Sequence, residues 1–316
     1  MEVLKNDFEL DVATAHSRLS KRWKNKKWQW SEIVKKCSTT RRTDESVAEY
    51  MKMSRDEQSN VKDVGGFVGG YLSGGTRKTE NVMWRSMATL DIDYGTNEVW
   101  EDFTLQYDCA AMIYSTHKHT AEKPRFRLVI PFSRSVEPKE YEPICRKLAD
   151  TIGIDLFDTT TYQLPRLFYW PSTPRDGEYI FEYQDGPALD VDAILSTYTN
   201  PQDVSEWAIG SRESEAVAHE IRKAGDPLEK PGLIGAFCRA YTIEEAITKF
   251  LADKYEATAT DGRYTYKLGS VAAGLVCYEN CLHTATTRQT PQVSSFATLS
   301  IWYESICLAY RMRANG

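Results

Sequence analysis

The 316-residue chain lacks several features, and each absence excludes a class of protein. No uninterrupted apolar run approaches the ~18 residues of a membrane-spanning helix. The first ten residues carry acids and no apolar core, so no export signal is read there. Cysteine is sparse: seven, scattered and odd in number, which fits reduced thiols in a cytoplasmic protein better than a disulfide framework. Cys277, Cys281 and His283 have a loosely zinc-like spacing but no second pair of plausible ligands nearby. Glycine pairs occur in VGGFVGGYLSGG (64–75), yet no Gly-Lys-Ser/Thr follows, so there is no P-loop. What remains is an ordinary soluble composition, 41% apolar and 27% charged. The length suits one large domain or two ordinary ones and can bury a core without staples.

The net charge of −6 speaks against bulk attraction to nucleic acid. The charge is unevenly spread, however. Residues Arg18 to Arg42 hold ten Lys/Arg and one acid, Glu32, which leaves the other 291 residues at −15 (29 basic against 44 acidic side chains). Residues 1–62 read as polar and helical, with Trp23, Trp28 and Trp30 punctuating the basic stretch. Two readings of that stretch stand. It is a solvated helix whose indoles pack inward, or a nucleic-acid contact with cations on phosphates and indoles for stacking. The glycine-rich segment reads as flexible or tightly turning, and it delivers Arg77 and Lys78.

Residues 86–170 are the most informative. MATLDID (87–93), CAAMIYS (109–115), RFRLVIPF (125–132) and RLFYW (166–170) read as strands. Glu98 to Leu105 forms a short helix, with Asn97 as candidate N-cap. Tyr141, Ile144, Cys145, Leu148, Ala149 and Ile152 make the apolar stripe of a second helix. Pro138 starts that helix and Gly153 ends it. The order β-α-β-β-α-β is that of an RRM-like (ferredoxin-like) unit with strand order 4-1-3-2. After about Asn200 the pattern turns helical, broken by GDPLEKPG (225–232), and becomes β-like from Tyr255.

That topology gathers polar residues. Asp91 and Asp93 share one face of the first strand, while Leu90 and Ile92 share the other. Arg125 and Arg127 alternate with Phe126, Leu128 and Ile130 on the adjacent antiparallel strand. The expectation is that acids and guanidinium groups meet on an open sheet face. Ser115, Thr116 and His117 end the second strand at the same edge, and Asp155, Asp158 and Arg166 arrive there too. Paired carboxylates on a strand are hard oxygen ligands for Mg²⁺ or Mn²⁺, and a third completes a two-metal site for attack on phosphate. Histidine and arginines nearby can hold a triphosphate. The same residues also admit plainer roles, with Arg125 and Arg127 as ion-pair partners of the acids and His117 as a loop residue.

Asp91-x-Asp93 in TLDID, Ser115-x-His117 in YSTH and Phe157–Asp158 in DLFDTTTYQLPRLFYWP together resemble the archaeo-eukaryotic primase (AEP) superfamily. The surrounding KPRFRLVIP and PRLFYWPS resemble primase-polymerase domains of phage and prophage replication proteins. The resemblance implies an α+β fold: an RRM-like catalytic sheet with an additional N-terminal α/β unit, then a small mainly helical C-terminal region. It implies template-directed primer synthesis on single-stranded DNA from dNTPs or NTPs, in the cytoplasm of a bacterial host cell. Asp91, Asp93 and Asp158 would hold two Mg²⁺ or Mn²⁺ ions, with Asp155 the alternative third carboxylate. His117 would contact the triphosphate, with Ser115 shaping its loop. Arg125, Arg127, Arg166 and Lys78 complete the nucleotide-binding set. KHTAEKP separates the histidine from the next strand more widely than the family pattern does, so Arg125 or Arg127 takes part of its work.

The expected organisation is a catalytic domain over 1–200, a helical linker over 201–255 and a β-like remnant over 256–316. Residues 281–316 contain one acid, Glu304, and no lysine. TLSIWYESICLAYRMRANG (298–316) can be encoded so that another frame resembles the family's continuation towards a helicase. The expectation is a frameshift after about Asn280, with a helicase encoded downstream. Two other functions compete. His117-Lys118-His119 resembles the histidine pair of rolling-circle initiator nucleases, which also use a tyrosine nucleophile on a nearby helix, but Lys118 departs from the apolar residue usual between the histidines and Tyr141 reads as buried on the core face. A truncated remnant that binds DNA or nucleotide without catalysis is the other. Sequencing the gene checks the frameshift: the downstream DNA should encode a helicase in the shifted frame, and its absence would overturn the expectation.

Overall fold

In the computed structural model the apolar run of RFRLVIPF is a strand buried on both faces, and one layer of structure is built on each face. The structure describes residues 4–215, 231–269, 271–278 and 281–287, with 234, 278 and 281–287 as backbone only. The chain divides into two compact units, Met1–Tyr198 and Thr199–Gly316.

The first unit begins with β1 (Glu9–Ala15), β2 (Lys24–Gln29), α1 (Trp30–Cys37), β3 (Arg41–Arg42), α2 (Val47–Lys52) and α3 (Arg55–Val61). β4 (Gly66–Val68), β5 (Gly70–Leu72), β6 (Val82–Ile92), α4 (Val99–Gln106), β7 (Ala111–Ser115), β8 (Phe126–Val136) and α5 (Pro138–Ile152) follow. β9 (Phe168–Tyr169), β10 (Ser172–Thr173), β11 (Phe181–Gln184) and α6 (Val191–Leu195) complete it. The central sheet has the order β11-β7-β8-β6-β5, all neighbours antiparallel. A second antiparallel sheet has the order β2-β1-β4-β9.

Two cores result. On one face of the central sheet, Ala88, Leu90, Ile92, Phe126, Leu128 and Ile130 pack with the helices. α5 presents there the expected Tyr141, Ile144, Cys145, Leu148 and Ala149, all buried. On the other face, Met87, Met112, Tyr114 and Val129 pack against Leu10, Val12, Phe67 and Phe168 of the second sheet. A strand buried on both faces needs a continuous apolar run rather than alternation. Pro131 sits in β8 opposite Met87, beside a register irregularity at Arg85/Met87, where a missing N–H is tolerated.

Several expectations are corrected. Residues 1–62 are not mainly helical, because β1 and β2 form a hairpin. Lysine favours helices by propensity, but β2 is an edge strand with Lys24, Lys26 and Lys27 exposed, and edge lysines discourage further strand pairing. Trp23 and Trp30 are buried, and Trp28 stacks on Trp170 at 5.6 Å. The indoles therefore pack inward. The glycine-rich segment is not a loop but two short strands in different sheets. RLFYW is not the fourth strand of the central sheet. β9 pairs with β4 instead, where Phe168 and Trp170 pack on Phe67. β5 occupies the place beside β6, and the chain after α5 touches β6 through one antiparallel bridge, Ile92 to Phe157. α4 is capped at Glu98 rather than Asn97, without a side-chain bond.

Among the described residues of the second unit, helix precedes strand, and 211–215 are also helical. Its described residues form α7 (Gly232–Ala240) and α8 (Ile243–Phe250), then an antiparallel meander of β12 (Tyr255–Ala257), β13 (Arg263–Tyr266), β14 (Leu275–Tyr278) and β15 (Cys281–Thr287). The side chains of Cys281 and His283, and the tail beyond Thr287, lie outside the described residues. Among the described residues no helix is long and apolar enough to cross a membrane.

The switch between sheets needs close backbone approach. A Cβ on Gly70 would lie 2.2 Å from the Trp84 carbonyl oxygen and 3.0 Å from Arg85 Cα. Gly70→Ala should destabilise the protein by about 1–3 kcal/mol. The expected reading is a lower urea midpoint at unchanged slope; an unchanged midpoint would contradict the close approach.

Candidate functional site

β6 and β8 pair so that Asp91 lies directly opposite Arg127. Both side chains point away from the helices, towards the second sheet, where Phe168 and Tyr169 of β9 lie against Arg127. That face is covered, not open as expected, and Asp91 and Arg127 are each 8% exposed. The charged groups therefore gather at the end of β6, where the two sheets meet.

Arg127 Nε lies 3.3 Å from Asp91 Oδ1, but it has no aligned hydrogen-bond partner. Arg125 pairs with Asp93 at 3.0 Å. Arg166 reaches Asp158 at 2.6 Å and Asp91 at 3.6 Å. The 158–162 turn is fastened to β6 by backbone and side chain together. The Asp158 N–H donates to the Asp91 carbonyl at 2.9 Å. Thr161 Oγ1 accepts the Asp91 N–H at 2.7 Å and donates to the Thr89 carbonyl at 3.3 Å. Asp158 caps its own turn, accepting from the Thr160 N–H and hydroxyl. Asp158 is thus the third carboxylate of the cluster, while Asp155 sits exposed in the preceding turn.

Buried Arg85 braces the same turn from inside. Its guanidinium donates to the carbonyls of Gly69 and Leu164 and to Thr89 Oγ1, and lies over the Tyr141 ring. Arg77 donates to the Pro165 carbonyl. The glycine-rich segment therefore brings Arg77 to the site. Lys78 stays outside, exposed and 3.7 Å from Glu80.

His117 and Ser115 are placed differently from expectation. Ser115 is buried, and its hydroxyl accepts the Ile180 N–H, tying β7 to the segment entering β11. His117 is buried with both ring nitrogens engaged, Nδ1 with the Ser172 hydroxyl and Nε2 with Glu45, each at 2.9 Å. Burial, the largest influence, pulls its pKa below the ordinary imidazole value despite Glu45. The His117 ring is held by the N-terminal segment and has no nitrogen left for a phosphate. His119 Nδ1 accepts the Arg125 N–H, and Tyr141 is buried against Thr89. The histidine pair and tyrosine of a nuclease site are therefore not assembled.

Sequence reasoning missed Lys62, Lys118, Glu45 and Thr161. Lys62 follows α3 and lies over the Tyr169 ring at 5.3 Å. Burial and then Arg127 lower its pKa to about 8, against Asp91 and Asp93. Only tertiary structure brings it to the acids, so no local signal marks it.

The acids suit a hard divalent cation by chemistry: three carboxylates from two segments at one sheet edge. Burial, then Asp91, pushes the Asp93 carboxyl above its ordinary pKa, and Asp158 adds to this against Arg125. Among the described residues no three His, Cys, Asp or Glu side chains converge on one point. Each carboxylate is turned to an arginine, which supplies the positive charge a cation would bring.

Fold and site define an α+β domain of two stacked sheets and a helical layer, with an acid–arginine cluster at the end of the central strands. The chain belongs to the VapE N-terminal domain family, whose model matches residues 1–210. No curated protein matches the chain. Two solved structures show remote likeness. One is the AEP domain of the cyanophage S-2L primase-polymerase, 14% identical, covering 60% of this chain and 88% of that one, TM-score 0.33. The other is primase RepB', 10% identical, covering 78% of this chain and 71% of that one, TM-score 0.32. At these scores neither likeness assigns a residue or an activity to this chain.

The Thr161 hydroxyl is buried and doubly bonded. Thr161→Val strands the Asp91 N–H and should cost about 1–3 kcal/mol, while Thr161→Ser should cost less. Chemical denaturation of both variants checks this, and equal stability of Thr161→Val and wild type would contradict it.

Proposed function

We propose that the chain is a primase-polymerase of the AEP type, a nucleotidyltransferase that builds primers from nucleoside triphosphates on a single-stranded DNA template. The observation that carries this reading is the cluster itself. Asp91, Asp93 and Asp158 stand at one sheet edge interleaved with Arg125, Arg127 and Arg166. Cations and carboxylates in that alternation suit a substrate that is a polyanion and a reaction that develops negative charge.

Asp91, Asp93 and Asp158 would hold Mg²⁺ or Mn²⁺, which when bound supplies charge neutralisation for in-line attack on the α-phosphate. The residues of the chain then have distinct tasks. Arg127, fixed by the aromatic rings of Tyr114, Phe168 and Tyr169, orients Asp91. Arg125 and Arg166 are less buried than Arg127, so they could exchange a carboxylate for a phosphate oxygen. Thr161 holds the Asp91 backbone and so fixes where the acid pair points. The exposed cations Lys21, Arg22, Lys24, Lys26 and Lys27 offer the template phosphates a basic strip.

The test is incorporation of labelled dNTPs or NTPs on an unprimed single-stranded template, with and without Mn²⁺ or Mg²⁺. Metal-dependent incorporation is expected, falling at least about a hundredfold in Asp91→Asn/Asp93→Asn. Undiminished activity in that variant would remove the assigned site. Tight single-strand binding without incorporation would instead make the protein a non-catalytic binding remnant.

A further inference from the structure

Two lysines at the acid–arginine cluster belong to no motif. Lys62 and Lys118 are both half-buried. Neither ammonium has an ion-pair or hydrogen-bond partner among the described residues, although the cluster's three arginines each face a carboxylate. Lys62 and Arg127 lie over the same Tyr169 ring, at 5.3 and 5.6 Å, and Lys118 precedes His119, whose Nδ1 accepts the Arg125 N–H. Asp91, Asp93, Arg127 and Lys118 act on Lys62, and Asp93 and Arg125 act on Lys118. Lys62 and Lys118 are therefore cations in excess of the carboxylate–arginine pairs, and Arg55 adds to the positive charge that Lys118 feels.

A partly desolvated ammonium without a counter-ion is costly, and two near each other repel. The Tyr169 ring beneath Lys62 offsets part of that cost. A multiply charged anion placed between them would remove it. Lysine binds phosphate as a mobile point charge and needs no bidentate geometry. His117, expected in that role, is occupied by Glu45 and Ser172.

We propose that Lys62 and Lys118 bind the phosphate chain of a nucleoside triphosphate at the acid–arginine cluster. This rests on the nucleotidyltransferase reading and adds residues to it. Lys62 comes from the N-terminal helices and Lys118 from the turn after β7, so the phosphate chain would bridge two segments remote in sequence.

Calorimetric titration of the full chain with dATP, inorganic tripolyphosphate and deoxyadenosine tests this. Lys62→Met and Lys118→Met remove the charge and keep the apolar stem, and Lys62→Arg restores a charge. Each methionine variant should bind dATP and tripolyphosphate at least about tenfold more weakly. Deoxyadenosine binding should be unchanged, and Lys62→Arg should recover part of the loss. Folded methionine variants that bind dATP within about twofold of wild type would overturn the proposal and leave the nucleotide reading standing. A wild type that binds neither dATP nor tripolyphosphate would overturn both. If a variant fails to fold, unmutated protein still decides. Tripolyphosphate should protect Lys62 and Lys118 from acetylation, read by peptide mass spectrometry, and lack of protection overturns the proposal.

Discussion

The register that sets Asp91 of β6 opposite Arg127 of β8 is the constraint from which the site follows. A slip of one residue would turn Asp91 into the helix-side core and Leu90 out of it, so the pairing is fixed by hydrophobic burial as much as by charge. Once it is set, Arg125 necessarily stands near Asp93, and the turn after α5 meets the same strand end through the Ile92–Phe157 bridge. Asp158 is brought to Asp91 by a backbone hydrogen bond, not by attraction between acids. Three carboxylates that repel one another are thus held together by the fold.

Holding them requires compensation. Isolated carboxylates in a buried sheet layer would protonate rather than stay charged. Each acid has an arginine within ion-pair distance, and the most buried of these, Arg127, is itself enclosed by Tyr114, Phe168 and Tyr169. Breaking one such pair would leave an uncompensated charge, which costs more than the pair contributes. On the proposed reading the arrangement would also adapt on binding, a polyanion taking over an arginine and a cation taking over a carboxylate.

Much of this was readable from residue pattern alone. The 3.6-residue stripe of α5, with Pro138 and Gly153 at its ends, is local information, and so is the alternation that puts Asp91 with Asp93 and Arg125 with Arg127. Antiparallel neighbours then join the two pairs. Partner choice between sheets was not readable. Nothing in RLFYW says that Phe168 packs on Phe67 rather than beside β6, since period-2 alternation gives faces and not neighbours. The lysines of β2 mimic a helical surface while serving an edge strand. His117 looks like a free loop residue until Glu45, 72 positions earlier, closes on it. Lys62 and Thr161 are ordinary residues whose roles depend on contacts made far along the chain.

The N-terminal sheet explains why the charged groups sit where they do. A bare RRM-like sheet would offer its acids on an open face. Here Leu10, Val12, Phe67 and Phe168 cover that face, so charges can persist only where the two layers end and water still reaches. The same N-terminal segment supplies Glu45 to His117 and Lys62 to the acids. It is therefore part of the site and not an appendage, and the basic character of residues 18–42 acquires a location: exposed lysines along the outer edge of the sheet that shields the cluster. A cluster whose carboxylates are matched by arginines, with exposed lysines on a separate edge strand, is compatible with a net negative chain and a polyanionic partner, because at a Debye length of about 8 Å the partner responds to the nearest charges and not to the sum.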